Sequence, residues 1–95
     1  MHVISRKRLK EAALRHPELE TTLDAWFRNA KKASWQSLMD VRKTFANADA
    51  VDRWTVFNIK GNQYRLITEI NYRYQRLYIR YVQTHAEYDQ EKWKQ

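Results

Sequence analysis

The sequence predicts an α+β fold in which amino-terminal helices cover one face of an antiparallel sheet. Two observations support this class. Apolar side chains recur at helical spacing through the first half of the chain, and the second half holds three runs rich in β-branched and aromatic residues. The 95 residues contain no repeat, low-complexity tract or Pro/Gly-rich linker, so we expect a single domain, 1–95.

The first half of the chain is expected to be mainly helical. Ser5 is a favourable N-cap for a strongly basic helix over 6–15. Pro17 suits the first position of a second helix over 17–33, which has acids in its first turn and lysines in its last. Weaker helical spacing over 34–45 fades into a loop before the strands.

The second half is expected to form three strands in series, preceded at the start of the chain by a possible short strand at 2–4. The three β segments are 53–60, 63–72 and 75–83. Gly61 and Asn62 stand between the first two, where a two-residue hairpin turn requires a positive φ that glycine adopts without strain. We therefore expect an antiparallel meander whose register is set by this turn.

The sheet is expected to have one core face and one basic outer face. Alternation along the middle strand assigns Leu66 to the core and Arg65 to the outer face. The hairpin register assigns Val56, Asn58 and Lys60 to the outer face as well. Residues 52–82 contain six basic and two acidic side chains, and the whole chain carries a formal charge of +7. A basic face with interleaved tyrosines suits RNA.

The stretch Thr84-His85-Ala86-Glu87 fits a capping box, so a terminal helix should begin directly after the third strand. His85 then lies in its first turn, where unpaired backbone N–H groups favour a phosphate. An imidazole there is suited to proton transfer near neutral pH. An ordinary helix-end histidine, with Tyr88 beside it as a packing residue, is the alternative reading.

Composition excludes several classes of protein. There is no cysteine, and His2, His16 and His85 are too dispersed in sequence to suggest a ligand cluster, so we expect no disulfide, metal or cofactor. The start of the chain lacks the apolar core of a signal peptide, and no run of residues approaches the length of a membrane span. A cytoplasmic protein is the simplest expectation.

Two segments resemble HigB-type toxins of the RelE-like toxin–antitoxin superfamily: FNIKGNQYRLI, 57–67, and YIRYVQTHAEYD, 78–89. The resemblance implies a microbial RNase-like fold with helices against an antiparallel sheet and a short terminal helix. It also implies an endonuclease that cuts mRNA in the decoding site of the 30S ribosomal subunit. Metal plays no part in the implied reaction, in which a ribose 2′-hydroxyl attacks the adjacent phosphate.

The candidate residues follow from this resemblance and from the basic face. The implied catalytic residues are His85, Arg65, Tyr88 and, as a substitute cation, Lys60. The expected RNA-binding residues are Asn58, Asn62, Arg73, Arg76 and Arg80. The chain departs from many RelE-like nucleases at Val56 and Asn58, where those proteins carry two lysines on the strand before the turn.

The resemblance further implies a cognate antitoxin, expected to be a helix-turn-helix protein with an acidic or amphipathic segment that covers the basic surface. Operator DNA would be contacted only through the toxin–antitoxin complex, and no membrane partner is expected. Two alternatives stay open at this point. One is a non-catalytic RNA- or ribosome-binding module that blocks translation by occupancy, and the other is a basic scaffold subunit without an RNA role.

Overall fold

The structure is a computed structural model that describes residues 1–90. Five strands and four α-helices occur in this part of the chain. In order they are β1 (His2–Ile4), α1 (Lys7–Arg15), α2 (Glu20–Lys32), α3 (Leu38–Thr44), β2 (Asp49–Val51), β3 (Trp54–Ile59), β4 (Tyr64–Asn71), β5 (Arg76–Thr84) and α4 (His85–Asp89). The α+β class is confirmed, while residues 91–95 of the predicted domain lie outside the described part.

The strands form one sheet in the order β1-β5-β4-β3-β2. Strands β3, β4 and β5 are antiparallel neighbours, as the meander predicts, and β2 adds a further antiparallel strand beside β3. Strand β1 instead pairs in parallel with β5. The chain runs from β1 into the helices, and the strand that later lies beside β1 is the last one, β5. The sheet is therefore mixed rather than purely antiparallel.

Strand β2 corrects the expectation of a loop over 46–52. It pairs antiparallel with β3, and Val51 lies opposite Trp54. The tight turn between them places Asp52 at φ 55°, a conformation that Asp tolerates better than most side chains. A short turn therefore adds a strand where composition indicated irregular structure.

The helices begin differently from the predicted boundaries. Ser5 has φ 72°, and Arg6 occupies the N-cap position of α1 without a side-chain capping hydrogen bond, so the predicted Ser5 cap is wrong. The chain must turn sharply from β1 into α1, and Ser5 makes that turn with its backbone. Pro17 does begin a helical segment, but its first turn, Pro17–Leu19, is a 3₁₀ turn that leads into α2.

An aromatic cluster joins the helices to the inner face of the sheet. Phe57 of β3 meets the rings of Trp26 at 5.3 Å and Phe45 at 5.4 Å between centroids. Trp35 lies 6.0 Å from Phe45 in an edge-on contact. Leu66, Leu77 and Ile79 are fully buried beside this cluster. Each such side chain contributes about 1.5–3 kcal/mol when buried, so this layer holds the sheet in place.

The β3–β4 hairpin has the predicted register. Ile59 pairs with Tyr64, and Asn58 lies opposite Arg65. The turn is closed by a hydrogen bond from the Gln63 amide to the Lys60 carbonyl, and Gly61 has φ 65°. Lys60 also has a positive φ of 53°, which alternation along the strand did not anticipate.

Strand β5 contains a bulge opposite the middle of β4. Ile67 pairs with Tyr81 while the next residue, Thr68, pairs with Ile79. Arg80 is therefore the extra residue, and a bulge of this kind re-aims side chains and bends the strand. The Arg80 Nε atom donates to Glu69 Oε1 at 2.9 Å, so Arg80 forms an ion pair with a carboxylate of the outer face.

The centre of the outer face is apolar, which corrects the expectation of an open basic platform. Trp54, Val56 and Ile67 form a second buried cluster, against which Val51 and Tyr88 pack. Ile67 has no exposed surface and Val56 only 3%. The cationic side chains therefore lie around this cluster and at the two ends of the strands.

None of the helices in residues 1–90 is both long and apolar enough to cross a lipid bilayer.

Replacing Gly61 by Ala is expected to destabilise the protein by about 1–2 kcal/mol, because an L side chain is strained at φ 65°. A Cβ atom at this position would meet nothing within 4 Å, so backbone strain alone accounts for the loss. Urea denaturation of purified Gly61→Ala measures it. Gly61→Asn is the control, since Asn tolerates this conformation, and an equal loss for both variants would contradict the account.

Candidate active site

The two leading candidates of the sequence analysis meet at one end of the sheet. Strand β4 begins where β5 ends, because Tyr64 pairs with Thr84. Arg65 follows Tyr64 and His85 follows Thr84, so both side chains stand at this end. The Arg65 Nη2 atom lies 3.4 Å from His85 Nδ1. Antiparallel pairing thus brings together a cation and a titratable ring that are distant in sequence.

Neutral oxygens hold the Arg65 guanidinium in place. Nη2 donates to the Asn62 side-chain oxygen at 3.0 Å. Nη1 donates to the carbonyl oxygens of Asn62 at 3.1 Å and Tyr64 at 3.2 Å. The residue is only 8% exposed, and no carboxylate of residues 1–90 forms an ion pair with it. A positive charge satisfied only by neutral acceptors keeps its attraction for an anion such as phosphate.

The contacts of His85 define its tautomer. A guanidinium only donates hydrogen bonds, so Nδ1 is the acceptor in the contact with Arg65. The neutral ring then carries its proton on Nε2, which lies 3.4 Å from Asp89 Oδ2. The side chain of His85 is 53% exposed, so the ring is open to a substrate. The imidazole is therefore oriented between a cation and a carboxylate.

Asp89 lies beside His85 in the structure but is not among the predicted site residues. It stands four residues after His85, a spacing that places both on one side of a helix. That spacing was visible in the sequence, but a short terminal helix offers many such pairs. Only the structure selects this carboxylate by placing it next to Nε2.

The predicted capping box is confirmed and anchors His85. The Glu87 amide donates to Thr84 Oγ1 at 3.2 Å, and the Thr84 amide donates to Glu87 Oε1 at 2.9 Å. The His85 amide donates to the Gln63 carbonyl of the β3–β4 turn at 2.9 Å. The start of α4 is thus attached to the same turn that supplies the Asn62 acceptors of Arg65.

Tyr88 and Asn58 complete the immediate surroundings of Arg65. The Arg65 Cζ atom lies 5.4 Å from the centre of the Tyr88 ring, within the range of a cation–π contact. The same ring packs against the second apolar cluster, so Tyr88 has a packing role as well. Asn58 is half-buried and lies across the hairpin from Arg65.

Lys60 lies in the turn beyond the end of β3 and is exposed. Its charge acts on Glu18, a residue of the helical side of the molecule. The pKa of Glu18 is lowered chiefly because the Tyr64 hydroxyl donates to its carboxylate at 2.8 Å, and the charges of His16 and Lys60 add to the lowering. In residues 1–90 no hydrogen bond joins Lys60 to Arg65 or His85.

The remaining predicted RNA-binding residues are spread along the sheet. Arg80 is paired with Glu69 and lies 5.2 Å from the Tyr78 ring centre. Arg76 pairs with Asn71 at the opposite end of β4 from Arg65. Six residues of strand at about 3.4 Å each separate these ends by roughly 20 Å. Arg73 lies in the turn at that far end, so Arg73 and Arg76 do not share the site of Arg65.

No group of three or more His, Cys, Asp or Glu side chains within residues 1–90 is placed to hold a metal ion. The side chains that meet at the end of the sheet are a guanidinium, an imidazole, a carboxylate and a phenol. Such a set can stabilise negative charge and move protons.

Comparison with known proteins gives this arrangement a context. The family model described as HigB toxin, RelE-like toxic component of a toxin-antitoxin system, matches residues 19–91. The chain is 35% identical over 92 residues to the mRNA interferase toxin HigB of Escherichia coli (strain K12), across 94% of this chain and 88% of that protein. The mRNA interferase HigB of Escherichia coli O6:H1 is 30% identical across 94% and 89%.

The fold, the site and the family match define a RelE-like toxic component of a toxin–antitoxin system. Within that class, the chain belongs to the HigB toxin family. The resemblance found in the two sequence segments is thereby confirmed, and the match extends into the helical half, which the two segments do not cover.

Removing the Tyr64 hydroxyl is expected to raise the pKa of Glu18, because the hydrogen bond that lowers it is lost. A carboxylate whose pKa is lowered by folding stabilises the fold above its unfolded-state pKa, and this contribution disappears as the pH falls through the folded-state value. Tyr64→Phe should therefore be less stable than the wild type near neutral pH and equally stable in acid. An NMR titration of the Glu18 carboxyl measures the shift.

Tyr81→Phe, on the outer face, is the matched control for this titration. If Glu18 titrates at the same pH in Tyr64→Phe as in the wild type, the assigned cause of its lowered pKa is wrong.

Proposed function

We propose that this protein is the toxin of a type II toxin–antitoxin system and acts as a ribosome-dependent mRNA endonuclease. The observation that carries the proposal is the 3.4 Å contact between Nη2 of the largely buried Arg65 and Nδ1 of His85, whose side chain is 53% exposed. A single phosphate could contact both groups. The family match and the printed names of the relatives, mRNA interferases, support the same function.

In the proposed reaction, the ribose 2′-oxygen attacks the adjacent phosphorus. The bond from phosphorus to the 5′-oxygen of the next nucleotide breaks, which leaves a 2′,3′-cyclic phosphate and a free 5′-hydroxyl. The 2′-hydroxyl loses a proton and the leaving oxygen gains one, so the reaction needs groups that move protons. It also needs a cation, since charge accumulates on the phosphate oxygens of the transition state.

Arg65 is proposed to supply that cation. Its planar guanidinium can donate two parallel hydrogen bonds to phosphate oxygens, and its three contacts with Asn62 and Tyr64 limit its reorganisation during the reaction. Val56, at one of the positions where RelE-like nucleases carry lysine, is buried in the second cluster and contributes no charge. Charge stabilisation therefore depends mainly on Arg65.

His85 is proposed to move a proton. The lone pair of its neutral ring is on Nδ1, so this atom would accept the 2′-hydroxyl proton in place of its contact with Arg65. The resulting imidazolium would be stabilised by Asp89, which lies 3.4 Å from Nε2. Tyr88 is proposed to stack on a substrate base or to supply the proton for the leaving oxygen.

The partners follow from this function. We propose that the substrate is mRNA in the 30S decoding site, which would place the action of the toxin in the cytoplasm. The family implies a cognate antitoxin. We propose that it is a helix-turn-helix protein, and that the toxin meets operator DNA only within the toxin–antitoxin complex.

Arg65→Ala and His85→Ala are each expected to abolish the discrete mRNA ends that form on translating ribosomes, since loss of one such donor or proton carrier typically costs about 10²–10⁴ in rate. Primer extension on translated mRNA measures the ends. Arg15→Ala, which removes an exposed cation of α1, is the control with unchanged cleavage, and a chelator should have no effect. Inhibition by the wild type with mRNA left full length would instead indicate blockage by occupancy.

Asp89→Asn tests the orientation of His85. The amide removes the charge that stabilises an imidazolium while keeping the size of the side chain. We expect kcat to fall about tenfold or more with little change in KM, because the lost interaction strengthens only as the ring gains its proton. Glu11→Gln, which removes one negative charge from α1, away from His85, is the matched control and should leave kcat unchanged. A change confined to KM would contradict the assigned role.

A further inference from the structure

The end of the sheet opposite Arg65 carries an exposed tyrosine with two arginines nearby. Tyr74, in the turn between β4 and β5, is 59% exposed. The Cζ atoms of Arg73 and Arg76 lie 5.4 and 5.8 Å from the centre of its ring. We call Arg73, Tyr74, Arg76 and the neighbouring Lys31 the turn surface.

A cleft of about 670 Å³ opens beside the Tyr74 ring. Lys31, His2 and Ser34 line it together with Tyr74 and Gln75. Lys31, His2, Ser34 and Tyr74 carry hydrogen-bond donors, whereas the side-chain amide of Gln75 already donates within the protein. Met1, Val3 and Phe27 complete the lining, in which neither Asp nor Glu occurs. The cleft is therefore suited to an anionic or acceptor-rich ligand rather than to a cation.

The cations of the turn surface keep their charge available. Within residues 1–90, Lys31, Arg73 and Arg76 form no ion pair with a carboxylate. Other basic side chains of the protein do form such pairs: Arg6 and Arg28 with Asp24, Lys7 with Glu11, Arg42 with Asp49, Lys43 with Asp40, and Arg80 with Glu69. The positive charge of the turn surface is therefore neutralised less by neighbouring carboxylates than the charge of these ion-paired side chains.

The backbone of this turn is held in one conformation. The Gln75 side chain donates to the carbonyl oxygens of Trp35 at 2.7 Å and Tyr72 at 2.8 Å. The Tyr74 amide donates to Asn71 Oδ1 at 3.0 Å. These bonds attach the turn to the helical layer and to the end of β4, so a ligand would meet a largely pre-formed surface and lose less affinity to ordering.

We propose that the turn surface is a second RNA-binding site, in which an unpaired base stacks on Tyr74 while Arg73, Arg76 and Lys31 contact its phosphates. The inference rests on the proposed function and adds a subsite to it. An exposed aromatic face supplies stacking to any base, and guanidinium groups match phosphate oxygens bidentately. The roughly 20 Å of strand between Arg76 and Arg65 means that this site affects binding and not the chemical step.

Binding is tested in a His85→Ala background, so that no RNA is cut. The two probes are a short uridine-rich oligoribonucleotide and purified 30S subunits without mRNA. Tyr74→Ala is expected to weaken binding about fivefold or more, whereas Tyr74→Phe keeps the ring and binds like the parent. Arg73→Ala with Arg76→Ala should lower the slope of log affinity against log salt by about 1.4, since each phosphate contact contributes about 0.7 on a single strand.

A double variant of α1, Lys10→Ala with Arg15→Ala, removes the same charge from another surface and is the matched control. Loss of binding to the oligoribonucleotide supports a site for single-stranded messenger, and loss confined to the subunits supports a site for ribosomal RNA. Equal weakening by the α1 control, or unchanged binding of the Arg73/Arg76 variant to both probes, would overturn the inference.

Cleavage assays separate this inference from the proposed function. With His85 intact, Tyr74→Ala should raise KM for translated mRNA and leave kcat within about twofold, because the turn surface is remote from the reacting phosphate. A wild-type protein that fails to cut mRNA would contradict the proposed function while the binding comparison still decides the turn surface. A fall in kcat at unchanged KM would overturn the assignment of Tyr74 to binding.

Discussion

The antiparallel pairing of β4 with β5 is the constraint on which the site depends. It joins the start of one strand to the end of the other, so Tyr64 and Thr84 are neighbours and the residues that follow them share one end of the sheet. The β3–β4 turn attaches to the same place through the His85 amide and the oxygens of Asn62. A slip of one residue in this ladder would send Arg65 to the core face, which explains why the turn and the capping box both specify register.

The Arg65 guanidinium illustrates how a protein can bury a cation without neutralising it. Transfer of an ion out of water costs several kcal/mol unless hydrogen bonds replace those to water, and here three come from peptide and amide oxygens. A carboxylate partner would satisfy the group as well but would compete with phosphate. Arg80 differs from Arg65, because it forms an ion pair with the Glu69 carboxylate of the same protein.

The outer face combines an apolar centre with charged ends. Trp54, Val56 and Ile67 are buried there, so this side of the sheet contributes to the stability of the fold. Val56 and Asn58 hold the positions at which the resemblance to many RelE-like nucleases implies lysines, and Val56 packs in the buried cluster. Arg65 lies at one end of β4, and Arg73 and Arg76 lie near the other end.

The sequence by itself determined the features that depend on neighbours along the chain. The β periodicity, the Gly61 turn and the Thr84–Glu87 capping box are local, because alternation, a positive φ and a four-residue hydrogen-bond pattern each require only adjacent residues. The pairing of Asn58 with Arg65 followed from that turn. An antiparallel meander also places the start of the middle strand beside the end of the third strand, so Arg65 and His85 could be expected at the same end of the sheet.

Only the tertiary structure decided the rest. Ser5 adopts a left-handed backbone conformation instead of capping the helix, because the chain turns there out of β1, which pairs in parallel with β5. The bulge at Arg80 is defined by the pairing of β5 with β4. Asn62 is an acceptor for Arg65 and Asp89 a neighbour of the imidazole, which neither residue type nor spacing could select. These features depend on contacts between segments distant in sequence, whose geometry is set by packing of the whole chain and not by any local preference.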